Sequence, residues 1–396
     1  MNTLNLFIFI DALGWEILSK RSFLNDECQF RIKTETVLGY SSTAVPTILT
    51  GEWPETHGHM SFFYYSPSTS PFKALHLMNY FPGDFLNRGR VRTKLSDVFR
   101  RIRGYTGYFQ LYEVPFQYLP YLDYIEKKDI YEPGGLDGEQ TRTIFQRLDE
   151  YGARWARSDW RATEEKNLEA AKQRIRKSDV DVLYLYWPKL DGLLHVHGLE
   201  SPLIDARIAW YERSIRELLD NATQSGYKTV NLLVFSDHGM TPTTNCDSIW
   251  NDLNSLGLTI GVDWFPIYDS TMARFHFLND SAERTVRDAL AQRKGGRILD
   301  AETLKSLHSS YTNNRYGDLI WLSDPGNLIA PSYMGKKPLA GMHGYHPADQ
   351  DSLGMFISNI DPGIEINNIR DINFAMRHIA QCAIGVPASV NSEAIN

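Results

Sequence analysis

Short apolar runs that stop at an acid recur along this chain. Leu4 to Ile10 runs directly into Asp11. Val180 to Trp187 is followed by Pro188, Lys189, Leu190 and Asp191, and Val230 to Phe235 by Ser236, Asp237, His238 and Gly239. Nearly continuous apolar runs suit strands covered on both faces, as in a parallel sheet. Helical patterns separate them, at about Gly138–Tyr151, Arg161–Lys177 and Ser201–Thr223. Shorter helices are expected at Gly14–Ser19, Ala44–Thr50 with Pro46 in its first turn, Ala282–Gln292 and Ile369–Cys382. Further strands are expected at Arg31–Val37, Arg274–Leu278, Leu319–Leu322 and Met355–Ile357. Strands alternating with helices predict an α/β fold, with a central, mostly parallel sheet flanked by helices on both faces.

The texture changes between His59 and Gly135. Phe62, Phe63, Tyr64, Tyr65, Tyr105, Tyr108, Phe109, Tyr112, Phe116, Tyr118, Tyr121 and Tyr124 crowd together, and prolines recur. One helix is expected, Ser96–Ile102, with Ser96 as its cap. The stretch reads as a cap inserted within a single domain of residues 1–396, or as an aromatic packing layer, since aromatic residues are core material first.

Composition narrows the function classes. A net charge of -7 without a long basic run argues against a nucleic-acid surface. The three cysteines, Cys28, Cys246 and Cys382, are few and scattered, which predicts no disulfide framework and no cysteine metal site. The N-terminal apolar run lacks a basic start and meets Asp11, so it reads as a strand rather than a signal peptide. No run reaches the roughly 18–20 apolar residues of a membrane span. The expectation is a soluble, cytoplasmic protein acting on a small molecule.

The acids carry the candidate chemistry. In open α/β sheets ligands bind beyond the carboxyl ends of the strands, where Asp11, Asp191 and Asp237 fall. Asp191 and His195 are four apart and share a face of one helical turn. With His238, and with His343 in a Gly-flanked loop, they make three carboxylates and three imidazoles. That set suits two divalent metal ions and a phosphoryl group. Zinc fits the mixed ligands best, with manganese the alternative. Ser41, ahead of a helix start that favours anions, is the candidate nucleophile. Ser42 and Thr43 are alternates, and all three residue types are also good N-caps. His57 and His276 read as structural, His197 as facing away from His195, and Lys189 as solvated. His59 could face the site, and His346 is a candidate substrate contact.

The ordered set Asp11, GYSSTAVPTILTG with PETHG after it, Asp191-x-x-x-His195, SDHGM and HGY resembles the alkaline phosphatase superfamily, in its nucleotide pyrophosphatase/phosphodiesterase branch. The likeness spans about residues 4–60 and 180–360. It implies that Asp11, Asp237 and His238 hold one metal, and that Asp191, His195 and His343 hold the other. Counting back ten residues from Gly51, as the family spacing implies, gives Ser41 as nucleophile. The chain departs from that branch, which usually has threonine there followed by aromatic-Pro-Asn. It also lacks the sulfatase pattern. The implied activity is a phosphodiesterase or pyrophosphatase. The alternatives are a phosphomonoesterase, a phosphoryl transferase or mutase, and a non-catalytic phosphoester-binding protein.

Overall fold

The computed structural model describes residues 2–80, 88–136 and 141–385. Its main sheet orders the strands as Phe30–Thr34, Gly354–Ser358, Thr229–Phe235, Thr3–Ile10, Val182–Trp187 and Trp155–Arg157. Thr229–Phe235, Thr3–Ile10, Val182–Trp187 and Trp155–Arg157 run parallel, whereas Gly354–Ser358 is antiparallel to both neighbours. Strand side chains alternate between faces, and both faces are covered. Leu4, Leu6, Ile8 and Ile10 pack with Leu183, Leu185, Leu232 and Val234 under the helices Glu164–Lys177 and Pro202–Gln224. Phe7, Phe9, Tyr184, Leu233 and Phe235 face the helices Ser41–Thr50, Ile144–Glu150 and Asp371–Ile384. Each fully buried side chain of this size contributes roughly 1.5–3 kcal/mol. The mostly parallel sheet between two helical layers agrees with the alternation of the sequence.

Four antiparallel strands make a second sheet, in the order Trp264–Tyr268, Met272–Phe277, Leu319–Ser323 and Gly296–Leu299. The aromatic stretch packs on it. Phe63, Phe72, Phe109 and Tyr124 share a core with Trp264, Phe265, Tyr268 and Phe275. That core contains none of the main-sheet strands, so the aromatic residues form a packing layer and, at Phe62, Tyr108 and Tyr112, a cavity wall.

Local boundaries differ from the sequence pattern for identifiable reasons. The first-turn position given to Pro46 starts its helix too late: the helix begins at Ser41, after Tyr40, and Pro46 lies inside it. Ser96 is no cap. It sits within Gly89–Arg103, donating to the Arg92 carbonyl at 2.8 Å and accepting from the Leu111 N–H at 2.9 Å. The helix expected from Gly138 begins at Ile144, capped by Thr143 and Gln146; residues 137–140 lie outside the described residues. Trp264–Tyr268 is not among the strands expected from the sequence; it carries Pro266, which an edge strand tolerates. Trp155–Arg157 and Gly296–Leu299 are too short for a clear pattern. Among the described residues no helix is long and apolar enough to cross a membrane.

A buried ion pair ties the second sheet to the aromatic stretch. Arg274, with no exposed surface, donates from Nε to Asp269 Oδ2 at 2.8 Å. From Nη2 it donates to Ser61 Oγ at 3.1 Å and to the Phe63 carbonyl at 2.9 Å. Removing one partner of a buried pair leaves an uncompensated charge. Asp269→Ala is therefore expected to cost about 3–5 kcal/mol in urea unfolding. A loss below about 1 kcal/mol, the range of an exposed pair, would show that Arg274 keeps its solvation by another route.

Candidate active site

Strand register brings the acids together. Phe9 pairs with Phe235 and Ile10 with Trp187, so the three strands end side by side. The Asp11 N–H then bonds the Trp187 carbonyl at 3.1 Å. Asp11 and Asp237 continue the parity of Phe9 and Phe235, which points both toward the face of the Ser41–Thr50 helix. Ala12 holds a left-handed φ of 62°, and its N–H reaches Asp237 Oδ1 at 3.3 Å. Such a conformation in a non-glycine residue costs on the order of 1–3 kcal/mol and is held by its surroundings. Gly239 has no left-handed backbone; it supplies room. A Cβ there would lie 2.1 Å from the Asp351 carbonyl oxygen.

Asp191 and His195 stand on the helix Lys189–His197, with Asp191 Oδ1 3.2 Å from His195 Nε2. His195 Nδ1 donates to the Gly341 carbonyl at 2.8 Å, which orients the ring with Nε2 toward the acid. His343 arrives from the short ladder in which Met342 pairs with Thr241. Its Nε2 lies 3.6 Å from Asp191 Oδ1, and its ring stacks on His238 with centroids 3.7 Å apart. Gly344 follows with φ 89°, where a Cβ would meet the Tyr40 ring at 2.6 Å. His238 Nδ1 donates to the Gly239 carbonyl at 2.8 Å. Its Nε2 faces Asp237 Oδ2 at 3.2 Å, Asp11 Oδ1 at 3.7 Å and Ser41 Oγ at 3.1 Å.

The three hydroxyls at the helix start differ in their partners. Ser41 reaches His238, whereas Ser42 and Thr43 both donate to the Met60 carbonyl, at 3.3 and 2.5 Å. All six residues of the Asp/His set lie together, but His346 does not line the cavity; its Nδ1 accepts from the Ala348 N–H at 3.2 Å. His57 is fully buried and bonds Thr47 Oγ1 at 3.0 Å. His59 is buried beside it, His276 stacks on Tyr65, His197 is exposed, and Lys189 lies near Glu165 on the surface.

The electrostatics call for cations. Burial raises the Asp11 carboxyl well above the usual carboxylate range, with Asp237 and Asp191 adding to the rise. Burial also pushes Asp237 up to about 7. Burial opposes ionisation of Asp191 too, but His195, His343 and His238 hold it below the usual range. For His195, burial works against the charged form, yet Asp191 pushes it up to about 9. Asp11 Oδ1, Asp191 Oδ1 and Asp237 Oδ2 are buried without a hydrogen-bond partner. Buried carboxylate oxygens of this kind are paired or bind metal. Two overlapping sets can each converge on an ion, Asp191 with His195 and His343, and Asp11 with Asp191 and His238. The residues present therefore fit a divalent metal centre.

A family model described as type I phosphodiesterase / nucleotide pyrophosphatase matches residues 5–346. The chain belongs to that family. An uncharacterised pyrophosphatase/phosphodiesterase of Schizosaccharomyces pombe is 24% identical over 197 residues, covering 46% of this chain and 40% of that protein. The match thus spans about two fifths of the length of this curated relative. Human ectonucleotide pyrophosphatase / phosphodiesterase 5 shares the fold at TM-score 0.67, with 17% identity over 96% of this chain and 94% of its own. The murine counterpart, an inactive threonine-to-alanine variant in complex with AMP, shares it at TM-score 0.65, with 16% identity over 96% and 95%. These likenesses are of fold.

The cluster opens into a cavity of about 420 Å³. Its lining includes Glu126, Asp129, Trp160, Asp269, Met334 and Leu339, none of which sequence patterns single out. They come from distant segments and share no local pattern. Glu126 is 5% exposed, and burial, with Asp129 nearby, pushes its carboxyl up to about 8. An unfolded glutamate titrates near about 4.3. The folded state therefore holds the proton through pH 5–8 while the unfolded state releases it. The stability linked to that proton is full below the unfolded pKa and is lost as pH rises toward the folded one. Glu126→Gln is expected to raise metal-free stability at pH 8 by roughly 2–5 kcal/mol and to leave it little changed at pH 4. Denaturant melts at both pH values check this, and equal effects at the two would contradict it.

Proposed function

We propose that the protein is a phosphoric ester hydrolase, most readily a phosphodiesterase or pyrophosphatase, with Ser41 as nucleophile. The observation that carries this is the contact of Ser41 Oγ with His238 Nε2 at 3.1 Å, inside the cavity lined by Asp11, Asp191, His195 and His343. Membership of the family supports the reaction class. Asp11, Asp237 and His238 would hold one divalent ion and Asp191, His195 and His343 the other. Such ions supply the positive charge that eases deprotonation of a hydroxyl or water and offsets the phosphoryl oxygens.

The chain's own residues then do the rest. Ser41 lies in the first turn of the Ser41–Thr50 helix, whose positive end favours the phosphate anion. Its Oγ forms the new bond to phosphorus as the bond to the leaving alcohol breaks, giving a phosphoserine ester that water then cleaves. Tyr186 donates to Asp11 Oδ2 at 2.6 Å and fixes that carboxylate, and Gly341 fixes the His195 ring. The mixed Asp/His donors favour zinc over manganese. The three cysteines, all unpaired, support a reducing, cytoplasmic setting.

The test compares chromogenic aryl phosphate diesters and monoesters, with metal-stripped protein and zinc or manganese restored. Turnover is expected only with metal, and with the diester ahead. Ser41→Ala is expected to lower kcat by about 10³-fold or more while the fold persists. Thr43→Ala, which removes a buried bond to Met60, is expected to lower stability by about 1 kcal/mol. Full activity in Ser41→Ala would exclude it as nucleophile. Asp237→Ala is expected to abolish turnover in a folded protein, and metal-independent turnover would refute the reading altogether.

A further inference from the structure

We infer that Glu164 is a positioning residue for the metal centre: its buried carboxylate fixes the first turn of the Lys189–His197 helix, and with it Asp191 and His195. This deepens the hydrolase reading and rests on it for the identity of the metal ligands.

The helix that carries these two ligands lacks a cap of its own. Pro188 precedes it, with helical backbone angles and no side-chain bond to the first turn. The first four N–H groups of a helix have no partner within it. The Lys189 N–H finds one elsewhere in the chain, donating to Glu164 Oε1 at 2.8 Å. Asp191 follows in that same turn, and His195 lies one turn beyond it. A carboxylate at this end also suits the positive pole of the helix. Asp191 belongs to both sets of side chains that can converge on an ion. A tilt of this one helix therefore displaces ligands for both ions.

Glu164 is itself held in place. It is 4% exposed and opens the Glu164–Lys177 helix, which Thr163 caps. Tyr211 donates to the same Oε1 at 3.1 Å, and the buried Arg207 forms an ion pair with the other carboxylate oxygen. The Tyr211 ring stacks on Trp187 with centroids 5.1 Å apart, and Trp187 ends the strand just before Pro188. The Arg207 guanidinium lies 4.0 Å over the Trp210 ring. Strand end, helix start and the two supporting helices are thus joined at one carboxylate. Glu164, Arg207 and Tyr211 lie outside the cavity lining, so they hold the ligands and do not touch a substrate.

The experiment measures zinc binding by the full, metal-stripped chain in competition with a chromophoric chelator, beside urea unfolding of the same variants. The unmodified chain is expected to take up two zinc ions. Glu164→Ala is expected to weaken the second by about 10–100-fold, the range for losing a residue that orients a metal ligand. Arg207 keeps Glu165 at 3.2 Å in that variant, which favours folding. Glu164→Gln keeps an oxygen for the Lys189 N–H and is expected to restore most of the affinity. Tyr211→Phe removes one donor to Glu164 but keeps the ring stack, so it gives a smaller loss in a folded protein. Ser96→Ala removes two buried bonds in the aromatic layer of the second sheet. It is expected to lower stability and to leave zinc affinity unchanged. Undiminished zinc affinity in Glu164→Ala and Tyr211→Phe, or an equal loss in Ser96→Ala, would overturn the inference and leave the metal centre standing. An unmodified chain that binds neither zinc nor manganese would sink the metal-dependent reading, and the inference with it.

Discussion

Burying like charges at the ends of adjacent strands is the constraint on which the rest of the site depends. Parallel pairing brings the three strand ends level, and the acids beyond them then share one small volume. Asp11 and Asp237 cannot both ionise there without compensation, because burial and mutual repulsion act in the same direction. The neighbouring elements are arranged as compensation. The Asp191–His195 helix turn, the ladder that delivers His343 and the strained Ala12 N–H each bring a donor or a lone pair to the same point. A neutral substitute at any one of these positions would alter the charge balance of all the others, so the cluster behaves as one unit.

The second sheet sets the shape of what the cluster can act on. The aromatic stretch shares one core with Trp264, Phe265 and Phe275 of the second sheet. The Arg274–Asp269 pair fixes that packing by holding Ser61, which lines the cavity, and the Phe63 carbonyl behind the wall. Phe62 and Tyr112 thus face the cavity from the second sheet's core, whereas the Asp/His cluster, Tyr186 and Trp160 face it from the main sheet's side.

Much of the cluster was legible in the sequence because its determinants are local. An acid directly after a buried strand, an i,i+4 Asp–His pair and a Gly-flanked His each occupy a few consecutive residues. The choice among Ser41, Ser42 and Thr43 was not legible, since all three are good helix-start residues. Only the position of the Met60 carbonyl, from a distant loop, separates them. The edge strand Trp264–Tyr268 is five residues long and carries Pro266, so its own segment gives only a weak strand pattern. Glu126 and Trp160 were hidden for a different reason. Nothing in their own segments distinguishes them from surface or core residues, and their role follows only from which chain segments face them in the fold.

The same division bears on specificity. The reacting end of the site follows the family pattern, so the reaction class can be argued from the cluster. The alcohol end does not. The chain lacks the aromatic-Pro-Asn that usually follows the nucleophile in the nucleotide branch, and the wall opposite Ser41 carries rings and one unpaired acid. A nucleotide ligand needs partners for a second phosphate or for base edges. These walls provide stacking surface and a buried carboxyl, and among the described residues no basic side chain lines the cavity.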